Sequence, residues 1–189
     1  TTGVASINVT NPAVPAALYA WNVSGYGNQT AVASAGDYFY MGVNTTGNSF
    51  LVYKISPTPT LTDFLDFDDE VSVVELNGNY AYLGCENDSL GFRVINITDK
   101  YNISQTAAID VGEEVNAIEL FGNLAYVGTD EDDDSLLWVD ITNSSAPLVL
   151  GSLDVGGEIA DLVISGDYLY AAIDALVDKG EDATPEEEQ

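Results

Sequence analysis

One phrase recurs four times along this chain: "GDYFYMGVN" (36–44), "GNYAYLGCE" (78–86), "GNLAYVGTD" (122–130) and "GDYLYAAID" (166–174). Its leading glycines, Gly36, Gly78, Gly122 and Gly166, lie 42, 44 and 44 residues apart. A fixed period constrains a fold more than local propensity does. A unit this short cannot bury its apolar face alone and must stack on its neighbours. A second phrase ends in a hydroxyl residue: "SINVT" to Thr10, "VYKIS" to Ser56, "VINIT" to Thr98 and "WVDIT" to Thr142. A third ends in an apolar residue, at Val23, Phe67, Val111 and Val155, evenly 44 apart.

Each full unit reads as four short strands. In the second unit they are "VSVVELNG" (71–78), "NYAYLGC" (79–85), "LGFRVINIT" (90–98) and "QTAAIDV" (105–111). Val, Ile, Tyr and Phe dominate with near period-two alternation, and Gly, Asn, Asp and Ser punctuate. "NGN" (77–79) and "SGD" (165–167) are tight-turn chemistry, because Gly and Asn tolerate positive φ. The stretch 174–182 has length for a single helical turn, which Gly180 would end. Four strands per 42–44 residues is the period of a propeller blade.

The phrases "GNYAYLG", "GFRVINIT" and "GNLAYVG…LLWVDIT…APLVLGSLDV" resemble the LVIVD-type repeat. The resemblance runs to about Ile173. It implies a β-propeller scaffold in a surface or extracellular setting and no fixed catalytic set. The chain departs from the family in carrying four units where more are expected.

The expected fold is therefore all-β, a propeller of four four-stranded blades, with residues 1–177 as the repeat domain and 178–189 as an acidic tail. Complete blades are expected at 29–67, 71–111 and 115–155. The remaining blade is split. Its third and fourth strands lie at 3–10 and 17–23, its first and second at 159–166 and 167–173. An unfinished blade exposes unpaired N–H and C=O groups, so something should complete it. Two solutions present themselves. The ends join within one chain, the simpler reading, or the C-terminal pair of one copy receives the N-terminal pair of the next.

Charge narrows the partners. With 31 acidic residues against four basic ones the formal net charge is −27, which repels nucleic acid and anionic lipid. No apolar run reaches the roughly 20 residues of a bilayer-spanning helix. The acidity suits a solvated surface, Ca²⁺ or basic proteins, or solvation in high salt. The chain opens at Thr1 without a basic-then-apolar leader and reads as a processed piece. It has no histidine, which removes the commonest general base. The single cysteine, Cys85, lies in an apolar strand pattern and reads as a buried, inert thiol.

Candidate sites follow from this inventory. N-x-[ST] triplets occur at Asn8, Asn22, Asn28, Asn44, Asn87, Asn96, Asn102 and Asn143. Ser and Thr make up 27 of 189 residues, so chance places about two of the 14 asparagines in such a triplet. Covalent N-glycans are the expectation, best placed outside the repeat-equivalent pair Asn8 and Asn96. Two acidic clusters are weak Ca²⁺ candidates beside their reading as solvated loops: Asp66, Asp68, Asp69 and Glu70, and Asp130, Asp132, Asp133 and Asp134. Glu75 and Glu119 share one column in the strand nearest the axis, where the other units carry Ala33 and Val163, and face a channel as a solvated pair, a cation site or an acid/base pair. Tyr38, Tyr40, Tyr80, Tyr82, Tyr126, Tyr168 and Tyr170, with Trp21 and Trp138, suit packing between blades or stacking on sugars. No catalytic constellation emerges. The expected function is a non-enzymatic, glycosylated, self-associating subunit of an extracellular filament or surface layer. The alternative is an extracellular module binding a glycan, calcium or a protein.

Overall fold

The computed structural model describes residues 3–23, 25–44, 47–55, 58–86, 90–131 and 133–174. The acidic tail and the expected helical turn beyond residue 174 lie outside them. The described residues form 16 strands. A first pair comprises β1 (Gly3–Asn8) and β2 (Ala16–Asn22). Blade one holds β3 (Asn28–Ala35), β4 (Tyr38–Asn44), β5 (Phe50–Lys54) and β6 (Thr60–Leu65). Blade two holds β7 (Val71–Asn77), β8 (Tyr80–Cys85), β9 (Phe92–Asn96) and β10 (Ser104–Ile109). Blade three holds β11 (Val115–Phe121), β12 (Leu124–Thr129), β13 (Leu136–Asp140) and β14 (Leu148–Leu153). A last pair comprises β15 (Glu158–Ser165) and β16 (Tyr168–Asp174).

Each complete blade is an antiparallel meander in sequence order, as its repeat pattern requires. The first two strands of every unit are joined by a two-residue loop whose first member is Gly36, Gly78, Gly122 or Gly166, with φ of 58, 60, 61 and 62°. A side chain is strained at that φ, and a glycine there suits the right-handed twist of the flanking strands.

Third strands stop earlier than the apolar pattern suggests. The side chains of Asn8, Asn96 and Asp140 accept the N–H groups of Thr10, Thr98 and Thr142 at 2.9, 2.9 and 2.8 Å. Each closes an Asx turn and removes that N–H from the ladder. The hydroxyl residue that ends the repeat phrase is the far side of this turn.

The core lies between blades. Tyr40, Phe50 and Val52 of blade one pack on Val71, Val74, Leu83 and Ile95 of blade two. Tyr82, Phe92 and Val94 of blade two pack on Val115, Ile118 and Val127 of blade three. The N-terminal pair packs on blade one through Val23 and Val4 against Phe39 and Tyr53, and the C-terminal pair on blade three through Ile159 and Leu162 against Ala117 and Leu136. First strands β3, β7, β11 and β15 are successive neighbours across these interfaces.

Two devices set the inter-blade distance. An ideal Cβ on Gly42, Gly84 or Gly128 would stand 2.8, 2.7 or 2.4 Å from a side-chain carbon of Val71, Val115 or Ile159 in the next blade. Glycine is therefore the only residue the spacing admits. Beside it each first strand carries a register shift, at 29/31, 71/73, 115/117 and 159/161. A β-bulge re-aims the extra residue. Thr30 and Ser72, the extra residues of blades one and two, donate their hydroxyls to the Val71 and Val115 carbonyls of the following blade.

The two terminal pairs are separate two-stranded sheets, not hydrogen-bonded to each other. The joining of the ends within one chain is thus not formed, and the described residues make an open arc.

The glycine column gives a direct test. Gly84→Ala forces a methyl group into Val115 and should lower stability by about 1–3 kcal/mol, the usual cost of overpacking. Ala172→Gly, the same column where no further blade follows among the described residues, should change the melting temperature far less. Thermal unfolding of both variants checks this.

Candidate functional site

The two open half-blades are where the surface departs most from the rest of the molecule. In complete blades the residues of the second–third strand seam are buried. In the terminal pairs their repeat equivalents are bare. Ile7 is 57% exposed where Ile95 is 0%, Val9 is 67% where Ile97 is 1%, and Tyr170 is 55% where Tyr40 is 0%. Two grooves border these edges. One of about 270 Å³ runs between β1 and β3, lined by Gly3, Val4, Ala5 and Gln29–Val32. The other, about 210 Å³, lies beside β16, lined by Phe121, Tyr126, Ile164 and Leu169 among others.

The acidic clusters have mostly structural employment. Asp66 accepts the Asp68 N–H at 3.0 Å, as Asp110 does for Gly112 and Asp154 for Gly156 at the same point of later units. Asp68 and Asp134 occupy the left-handed region, with φ of 56 and 63°. Asp69 pairs with Arg93 at 3.2 Å, both side chains 6% exposed. Arg93 also donates to Gln105 and lies 4.7 Å from the centre of the Phe67 ring, pinning the linker between blades one and two to β9. The backbone carbonyls of Glu70 and Glu114 accept the Glu86 and Asp130 N–H groups. Among the described residues no group of three or more acidic or sulfur side chains is arranged to hold a metal ion. Asp132 lies outside the described residues.

Of the sequon asparagines, Asn8, Asn28, Asn44, Asn102 and Asn143 are exposed and Asn96 is half-buried. Asn28 and Asn44 are cross-strand partners at the mouth of one hairpin. In Asn8, Asn96 and Asn143 the side-chain oxygen accepts a backbone N–H two residues on. Asn22 lies at the end of β2, and Asn87 is outside the described residues.

Of the repeated tyrosines, Tyr40 and Tyr82 are buried between blades and Tyr38, Tyr80 and Tyr126 pack partly against those cores, whereas Tyr168 and Tyr170 are exposed. Within their own blades Tyr40 stacks on Phe50 at 6.2 Å and Tyr82 meets Phe92 at 6.1 Å. Tyr19, Trp21, Phe39 and Tyr53 form a continuous stacked series, with centroids 5.9, 6.3 and 5.0 Å apart, from the surface into the core. Cys85 is buried, and burial pushes its thiol up to about 12. It stays protonated and unreactive at neutral pH. The inter-blade glycines, the bulge hydroxyls and Arg93 are the residues that sequence reasoning passed over. The recurring "YMG", "YLG" and "YVG" were the available signal for the first of these.

Glu75 and Glu119 do share the innermost strands, half-buried, on β7 and β11. Glu119 Oε1 accepts the Ile164 N–H at 3.1 Å, tying blade three to β15. Burial first, then the negative charge of Glu119, raises the Glu75 carboxyl above the ordinary range. Burial and Glu86 do the same to Glu70. A raised folded-state value means that the folded chain holds the proton more tightly than the unfolded one. This contribution to stability is complete below the ordinary glutamate range and is lost as pH rises through the folded value. Glu75→Gln should therefore melt higher than the parent at pH 7, with the difference vanishing near pH 4. Thermal melts across that range check it.

The LVIVD repeat family matches residues 70–100, 113–155 and 156–177. No curated protein matches the chain significantly. Among solved structures, the computationally designed Ika4 protein is similar at TM-score 0.65 and 15% identity, over 80% of this chain and 88% of that one. The designed Ika8 protein is similar at TM-score 0.62 and 16% identity, over 77% and 43%. Apo AztD from Citrobacter koseri is similar at TM-score 0.53 and 14% identity, over 77% and 41%. The matched part of this chain thus spans less than half the length of the latter two. At such identities the likeness concerns the fold alone. The three matched segments take up half of the sequence and cover the first three strands of blade two, all of blade three and the last strand pair, and on that ground the chain belongs to the LVIVD repeat family.

Proposed function

We propose that this protein is a non-enzymatic structural subunit of an extracellular, glycosylated assembly, a filament or surface layer, held together by β-strand pairing at its ends. The observation that carries this reading is the pair of open half-blades. Each presents an unpaired strand edge and apolar side chains whose equivalents are buried or half-buried in the complete blades. Such edges are templates for association. A contact between opposite ends is head-to-tail, and head-to-tail contacts that do not close propagate. Burial of the bare residues would contribute about 25 cal/mol per Å² of apolar area. Exposed sequon asparagines and a net charge of −27 suit lateral faces that stay solvated while the ends engage. The non-enzymatic part of the reading is supported by a sequence without histidine and by Asp69 and Glu119 being engaged by Arg93 and the Ile164 N–H.

A second reading rests on the Tyr19–Trp21 stack. Tyr19 is exposed, and a flat ring backed by further rings is a platform for a sugar face. Screening against immobilised glycans separates this from the assembly reading, with Tyr19→Ala as the matched control.

Electron microscopy of native material should show end-to-end particles, and a field of separate monomers would defeat the proposal. Because copies repel one another, association should strengthen with salt as the screening length falls from about 10 Å at 0.1 M to about 3 Å at 1 M. Light scattering across that range reads it, and dissociation by salt would point to an attractive ionic contact instead. Intact-mass measurement should exceed the 20.1 kDa polypeptide by whole glycans, and Asn28 and Asn44, being directly opposed, should compete for occupancy.

A further inference from the structure

We infer that β16 of one copy of this chain pairs with β1 of a second copy in a single register, Tyr168 opposite Asn8 through Ala172 opposite Val4, so that two chains jointly build one complete blade. This rests on the assembly reading above and specifies its joint.

The register comes from the repeat. In the complete blades the second and third strands pair Tyr38 with Lys54, Tyr80 with Asn96 and Leu124 with Asp140, and end at Gly42 with Phe50, Gly84 with Phe92 and Gly128 with Leu136. The repeat equivalents in the terminal pairs are Tyr168 with Asn8 and Ala172 with Val4. The flanking backbone bonds are equally regular. Ile55, Ile97 and Ile141 donate to the Asp37, Asn79 and Asn123 carbonyls, and Val43, Cys85 and Thr129 to the Ser49, Gly91 and Ser135 carbonyls. The joint would add Val9 N–H to the Asp167 carbonyl and Ile173 N–H to the Gly3 carbonyl.

Shape agrees with this register. The groove between β1 and β3 lies where a second strand belongs, beside a third strand and against the first strand of the next blade. Ile95 and Ile97 face the preceding blade, in the cluster with Tyr40 and Phe50. Their equivalents Ile7 and Val9 would face the groove lined by Tyr126 and Leu169. Each end therefore offers what the other lacks.

A paired departure points to a second copy as the occupant. At three inter-blade contacts a glycine faces a β-branched residue: Gly42 with Val71, Gly84 with Val115 and Gly128 with Ile159. The fourth contact would set Ala172 against Gln29. Alanine adds the methyl group that the other three sites exclude. Gln29 is unbranched at Cβ, which removes one of the two γ-carbons that crowd those sites. The two changes compensate each other only where the last unit meets the first blade. Within one chain the two terminal pairs are not hydrogen-bonded to each other, which leaves another copy to bring them together.

Disulfide trapping tests this joint. Tyr170 and Ser6 would form a non-hydrogen-bonded pair, whose Cα separation of about 4.5 Å lies within disulfide range. Cys85 is buried and does not compete. Under oxidation, Ser6→Cys/Tyr170→Cys should give a ladder of covalent oligomers on a non-reducing gel. Ser6→Cys/Tyr168→Cys, one diagonal step out of register, should give none. Ile7→Asp, at an exposed site, should abolish association without changing the melting temperature, whereas Phe64→Asp, exposed but outside the joint, should leave association intact. A cross-link confined to single chains would overturn the second-copy joint. Assembled particles without the cross-link would overturn the register while the assembly reading stands, and monomers under all conditions would overturn both.

Discussion

The whole architecture depends on how closely the first strand of one blade approaches the second strand of the blade before it. At Gly42, Gly84 and Gly128 that approach leaves no room for a Cβ. The bulge next to it turns Thr30 and Ser72 toward the following blade, where their hydroxyls find the carbonyls of Val71 and Val115. Dry packing and a polar latch thus act within one residue of each other. A blade set at this distance buries Tyr40 or Tyr82 against its neighbour, and the spacing is repeated from unit to unit. The period seen in the sequence is the period of this contact, since a blade that drifted away would leave both the latch and the aromatic core unsatisfied.

The same contact explains why the ends differ. A half-blade is held on one side by its neighbouring blade, as Val23 is by Phe39 and Ile159 by Ala117. Its other requirement, hydrogen bonding between second and third strands, goes unmet in the chain as described. Packing therefore orders the terminal pairs while leaving their edges available. A closed propeller spends this pairing on itself. An open arc keeps it for another partner, at the risk that any exposed strand can dock there. The near absence of positive charge bears on that risk. Of four basic residues, Arg93 is buried against Asp69, and Lys100 donates to the Ile97 carbonyl beside the Tyr40 ring. Copies that repel at long range pair only where backbone and apolar complementarity are good enough to offset the repulsion.

Much of the fold was legible because it is repeated. The glycines at Gly36, Gly78, Gly122 and Gly166 marked the turns, and the strands of the second unit lie within about three residues of where alternation put them. Boundaries failed where a side chain rather than an apolar pattern ends the ladder, as at Asn96 and Thr98. The bulges were invisible, because one extra residue leaves alternation nearly unchanged over so short a strand. The glycine of "YLG" was in view, but its meaning needed the neighbouring blade: nothing local to Gly84 announces Val115. Acidic runs misled in the other direction. Their density suggested a shared ligand, whereas Asp66, Asp68 and Asp69 each answer a separate need, respectively an Asx turn, a left-handed bend and a buried guanidinium.

That last point reaches the sequons. Asn or Asp followed two residues later by Thr is what this repeat uses to stop a third strand, at Asn8, Asn96 and Asp140 alike. The first two are glycosylation triplets because the turn happened to be built with asparagine, and the third is not because it was built with aspartate. Turn chemistry and acceptor chemistry ask for the same pair of residues at the same spacing. An excess of triplets over chance therefore overstates the case wherever a strand end falls on one. Asn28, Asn44 and Asn102 are the stronger glycan-acceptor candidates, being exposed and not accounted for by such a strand-ending turn. Asn28 and Asn44 sit at the mouth of blade one's first hairpin, where blades two and three carry Glu70 with Glu86 and Glu114 with Asp130. One rim position is thus acidic in two blades and amidated in the third. A surface can be kept wet by carboxylate or by amide, and this family member has placed both at one structural address.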